Sequence, residues 1–231
     1  INQGIKESNT QYILIHAADC IISSRDINTL LESHQKYKNC FCTSPTFYDE
    51  NQKLTYNGDS FYEKKESYEP INLEGDICVD MVITTTVLFK KKDIEEIGLL
   101  DENFFLYFEE FDLCKQLELK NKNVFSSSDL LAHHLGFKGS FGADPQLQLD
   151  AEKLREWHWM WSSFYFYKKN YGYFFAIQKT IGKLIRSFFK FIFYKITFNK
   201  KQNNKYESRF FGLINGILGR PSWYRVNSKF Q

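Results

Sequence analysis

Short apolar runs rich in β-branched residues recur through the first half of the chain, each set off from the next by a polar or helix-length stretch. Tyr12-Ile13-Leu14-Ile15-His16, Cys40 to Phe47, Cys78 to Phe89, Asn123 to Ser128 and Leu130 to His134 read as strands. Residues 26–37 open on an N-cap at Asp26 and carry Ile27, Leu30 and Leu31 at helical spacing. Lys90 to Ile97 is a short helix stopped by Gly98, and Glu109 to Leu119 is a longer one. Ile1 to Ser8 is a short polar helix or loop, and Asn57-Gly58 marks a tight hairpin turn within a turn-rich stretch. Strands alternating with helices imply an α/β domain built on a mainly parallel sheet with flanking helices.

Composition shifts near residue 150. Glu152 to Lys169 is helical and holds Trp157, Trp159 and Trp161, and Tyr171 to Phe198 is aromatic and basic. From Gln178 to Lys205 there are eight Lys or Arg and no acid. Leu184 to Phe198 is too short, and too often broken by Arg186, Lys190 and Lys195, to span a bilayer. Rings interleaved with cations fit a helix lying in the headgroup layer of an anionic membrane. A homo-oligomeric interface is the alternative, but the basic excess would repel a like copy. Phe210 to Phe230 reads as a further short helix and an extended end. No nucleic-acid motif accompanies the cations, so nucleic acid is not the expected partner.

The net charge of +2 selects no partner by itself. The five cysteines are scattered, and Cys40-x-Cys42 lacks a second pair at zinc spacing, which argues against both a zinc site and a disulfide framework and favours a reducing compartment. No signal peptide is visible. The first residue is Ile rather than Met, and the chain is expected to be truncated or excised.

The chemistry concentrates in Leu99 to Cys114, where Glu109 and Glu110 follow a dense aromatic block and Asp112 lies two residues on. Like charges beside low-dielectric walls raise at least one carboxyl pKa, which suits a general base. Acids in the first turn of a helix also simply complement its dipole.

Asp-Glu-x-Phe-Phe-x-Tyr-x-Glu-Glu-x-Asp-Leu-Cys resembles the active-site segment of family 2 glycosyltransferases, especially the rhamnosyltransferase-like group. The resemblance spans roughly residues 1–172 and begins partway into the domain, without the first nucleotide-binding strands. It implies a GT-A fold over residues 1–150, followed by a helical, amphipathic, membrane-associating region over residues 151–231. It also implies inverting transfer of a sugar from a nucleotide-sugar donor to a glycan or lipid-linked acceptor, in cell-surface polysaccharide synthesis on the inner face of a bacterial membrane. The family's catalytic base is the second acid of a Glu-Asp pair; Glu110 holds that place here, with Glu109, Asp112 and Asp101 around it. Asn2-x-Gly4, then Tyr12 to Ile15 and Asp19, is similar to the family's run into its metal-binding Asp-x-Asp turn, although Ala17 stands where the first acid would be. His133 or His134, ahead of Gly136 and Ser140, is similar to the segment that completes the shell of a Mn²⁺ or Mg²⁺ ion. Thr84, Thr85 and the Trp157 helix match its sugar-binding stretches. The lone acid at Asp19 and the Glu at the base position leave open a second reading, a non-catalytic GT-A remnant serving as a membrane-bound scaffold.

Overall fold

The computed structural model describes residues 1–49, 51–56, 58, 75–134 and 145–225. They form two compact units, Ile1–Leu100 with Glu110–Ser140, and Asp101–Glu109 with Phe141–Gln231. Asn57, Gly136 and Ser140 lie outside the described residues.

The first unit is a mixed sheet flanked by helices. Its elements are α1 (Asn2–Glu7), β1 (Tyr12–His16), β2 (Cys20–Ile21), α2 (Ser24–Lys36), β3 (Cys40–Tyr48), β4 (Leu54–Tyr56), β5 (Asp76–Val79), β6 (Thr86–Lys90), α3 (Lys91–Glu96), α4 (Glu109–Leu119) and β7 (Asn123–His134). The order is β1-β6-β3-β7-β2, with β4 on β3 and β5 on β7. β1 pairs antiparallel with β6, β6 antiparallel with β3, and β3 parallel with β7. Hence β1, β3 and β7 run the same way. The expectation of a mainly parallel sheet is corrected: β3–β7 is the one parallel pairing among the described strands. A parallel neighbour needs a crossover over one face of the sheet. α3 and α4 supply one before β7, but only a turn precedes β6, which enters between β1 and β3 in the reverse sense.

Three local expectations also shift. Ser23, not Asp26, caps α2, its hydroxyl accepting the Asp26 N–H at 3.1 Å. The β-branched run from Cys78 to Phe89 breaks into β5 and β6 around a turn at Thr84-Thr85, because the Thr85 carbonyl accepts the Ala17 N–H at 2.7 Å instead of joining a ladder. The two strands expected between Asn123 and His134 are one, β7, whose register against β3 slips beside Pro45, a residue without an N–H for the ladder. Phe41, Phe89, Ile94 and Leu117 are fully buried in the main core, and Leu30 packs with Leu88 in a smaller cluster.

The second unit contains α5 (Pro145–Tyr171), α6 (Tyr173–Ile196) and α7 (Lys200–Ile217). Gly172, at φ 90°, makes the break between α5 and α6 in a conformation costly to any other residue. Met160, Phe164, Ala176 and Leu213 form the core. Gly212 lets α7 approach α5: an added Cβ would sit 2.3 Å from the Trp157 carbonyl oxygen. Among the described residues no helix is long and apolar enough to cross a membrane.

Candidate functional site

β1, β3 and β7 run the same way, so their carboxyl ends share one edge of the sheet, the edge at which open α/β sheets receive ligands. Asp19 lies in the turn that follows β1. This turn is tied down on both sides. Ala17 donates to the Thr85 carbonyl, and β2 pairs with the end of β7, Cys20 opposite His134 and Ile21 opposite His133. The half-buried His133 is also in register with Tyr48 of β3. Nearby, the Thr86 hydroxyl lies 3.0 Å from His16 Nδ1 and 3.3 Å from the Cys20 sulfur. Burial holds the Cys20 thiol above its ordinary value; Thr86 opposes the rise and the Asp19 charge adds to it. Cys20 is therefore a poor thiolate nucleophile.

The acids sit at the start of α4. Tyr107 and Phe108, just before it, have φ of 66° and 70°. A left-handed backbone costs a non-glycine residue roughly 1–2 kcal/mol, and it persists only where the surroundings over-determine it. Here rings do so. Phe108 is buried with its centroid 5.2 Å from Trp159 and 5.7 Å from Phe166, and Tyr107 meets Trp159 edge-on at 5.3 Å.

Glu109 and Glu110 are half-buried, and Oε2 of each is sealed from solvent. Asp112 is 3% exposed, more deeply enclosed than either. Burial pushes the Cys114 thiol up to about 12; a backbone bond at Val82 opposes this, and the charges of Glu110 and Asp80 add to it. Both carboxylates thus act on one thiol. Asp80, missed in the sequence, belongs with the acids of this unit. Its signal was an acid in an otherwise β-branched run.

Other predicted residues have different employment. Asn2 is buried, its side chain donating to the Leu100 carbonyl at 2.8 Å and accepting the Leu100 N–H at 3.1 Å, so it braces the backbone entering the acid segment. Gly4 is exposed with open space where a Cβ would lie, so nothing around it requires glycine. In the second unit, Asp101 pairs with Lys169 at 2.7 Å and accepts from Tyr165 at 3.1 Å. Burial pushes its carboxyl up, but bonds from Lys169 and Asn103 outweigh burial and leave it below its ordinary value. Trp157 is 2% exposed, with Trp161, Trp223 and Tyr224 against it, and is core rather than a platform for a sugar. Trp159, 39% exposed, keeps part of its ring open to solvent.

No protein-family model matches the chain. Over 138 residues it is 27% identical to a low-salt glycan biosynthesis hexosyltransferase of Haloferax volcanii, covering 54% of this chain and 42% of that protein. The chain has distant homology to a hexosyltransferase. It spans about two fifths of the length of that relative. Among solved structures it is similar to GalNAc-T7 crystallised with UDP, GalNAc and Mn²⁺, at 14% identity and a TM-score of 0.45, over 71% of this chain and 36% of that one.

The predicted cation ligands were Asp19, His133 and His134. The β2–β7 pairing brings their backbones into neighbouring register. Yet among the described residues no three His, Cys, Asp or Glu side chains are grouped so as to hold a metal. Asp19 and His133 are the described members of the expected trio, and the His134 side chain lies outside the described residues.

Proposed function

We propose that the chain acts as a glycosyltransferase of the family 2, GT-A type, moving a hexose with inversion from a nucleotide-diphosphate donor to a hydroxyl of a glycan or lipid-linked acceptor. The observation that carries this reading is the Asp19 turn, bonded to the Thr84-Thr85 turn on one side and, through β2, to the His133 end of β7 on the other. It puts an acid and polar groups at the carboxyl edge of the sheet, where a donor diphosphate and sugar would lie. The distant homology to a hexosyltransferase supports the same reading.

In this mechanism Glu110 takes the proton of the acceptor hydroxyl. The oxygen then attacks the anomeric carbon from the face opposite the diphosphate, which leaves with the electron pair of the broken bond. Glu109, Asp112 and Asp80 set the charge around Glu110 at the head of α4. Asp19 orients the donor.

The test is a transfer and hydrolysis assay across nucleotide sugars, paired with calorimetric binding of the nucleoside diphosphates. Glu110→Gln is expected to lower turnover by about a hundredfold or more while nucleoside diphosphate affinity is unchanged. Asp19→Asn is expected to weaken donor binding. Full turnover in Glu110→Gln would remove the assigned base. Absence of nucleoside diphosphate binding would leave the non-catalytic scaffold as the better account.

A further inference from the structure

We infer that α6 is a docking surface for an anionic lipid bilayer. Its two sides differ sharply. Ala176, Thr180 and Ser187 share one face, small and buried, with the Thr180 hydroxyl folded back onto the Ala176 carbonyl at 2.7 Å. That face packs on the other helices of its own unit. Phe174, Ile181, Ile185, Phe189, Ile192 and Ile196 recur at helical spacing on a second face, and all are exposed, Phe174 at 87% and Ile196 at 69%. Phe198, just past the helix end, is 91% exposed.

The stripe runs from Phe174 to Ile196, or roughly 33 Å of helix. A monomer rarely leaves that much aligned apolar surface in water. Its border selects the occupant. Lys179 and Arg186, both exposed, lie to one side of the stripe, and no acid occurs from Gln178 to Lys205. Lys183 is turned toward Arg209 of α7, and burial together with that charge holds its amine below its ordinary value. Lys190 is already engaged, donating to the Tyr206 hydroxyl of α7 at 3.0 Å. An apolar stripe edged by cations matches acyl chains below and anionic headgroups above. A second copy of the same stripe would bring like-charged borders together. The helix lies along the surface and does not cross it, in keeping with the cations that interrupt it.

The test is sedimentation of the whole chain with vesicles of phosphatidylcholine alone or mixed with phosphatidylglycerol, at low and high salt. The chain is expected to prefer the anionic vesicles at least tenfold, and to lose that preference as salt rises. Lys179→Glu and Arg186→Glu together should lower partitioning roughly a hundredfold, and Ile185→Glu with Phe189→Glu should abolish it. Both variants alter exposed positions, and circular dichroism checks their helix content. Equal binding to neutral vesicles, or none to either, would overturn the proposal. So would self-association, read by analytical ultracentrifugation, that Ile185→Glu with Phe189→Glu dissolves while vesicles go unbound. The salt dependence of the unaltered chain tests the charge border without any variant.

Discussion

Trp157 and Trp159 stand two positions apart on α5 and meet opposite surroundings. Helical spacing puts Trp157 with Trp161, and the tail rings of Trp223 and Tyr224 close over Trp157. The pairing was legible in the sequence; which face would be covered was not, because the cover comes from residues more than sixty positions away. Tyr107 and Phe108 were illegible for another reason. No Gly or Asn announces their left-handed backbone, which distant rings impose. At such a position the usual ranking of Gly below Ala inverts. Phe108→Gly is expected to be less destabilising than Phe108→Ala by about 1 kcal/mol in urea unfolding. Asn2→Ala strips two hydrogen bonds from Leu100 and should cost about 2 kcal/mol by the same measurement.

At the scale of elements, periodic apolar spacing located α4 to the residue, and the caps of the other early helices fell within a few positions. The break of Cys78–Phe89 into β5 and β6 escaped because β-branched residues favour strands only where a partner ladder exists. Helix packing in the second unit turns on single hydrogen atoms. In α7, Gly212→Ala would drive a methyl into the Trp157 backbone and should cost about 2–3 kcal/mol, read as a lower melting temperature. In α6, Gly182 has nothing within 4 Å of a built Cβ, and Gly182→Ala should stabilise by up to about 1 kcal/mol. The opposite signs of two chemically identical changes separate packing from propensity.

For the whole molecule, the alternation of strands and helices disclosed the α/β class, and the unbroken aromatic-basic run disclosed the helical end. The direction of β6 depends on long-range pairing that no local pattern encodes. Among the described residues each unit also holds one deeply buried imidazole. Burial pulls His34 down to about 4, Lys90 adding to it and Asp93 opposing; burial likewise pulls His158 to about 4, against the Tyr224 carbonyl and with Arg225. Both fold neutral, while the unfolded chain takes up protons near pH 6.5. Stability is therefore full above that value and declines as pH falls toward 4, by about 3 kcal/mol per histidine. Urea midpoints measured across this window should drop, and His34→Gln or His158→Gln should flatten the slope of its own unit. The reversed backbone at Tyr107 and Phe108 has a last consequence, for loop length. The two positive φ angles belong to one backbone length, so a one-residue insertion or deletion between Asn103 and Phe108 would hand them to neighbours without the ring contacts that hold Phe108 against Trp159 and Phe166. Homologous chains sharing this chemistry should vary in the identity of those residues and hold their number constant.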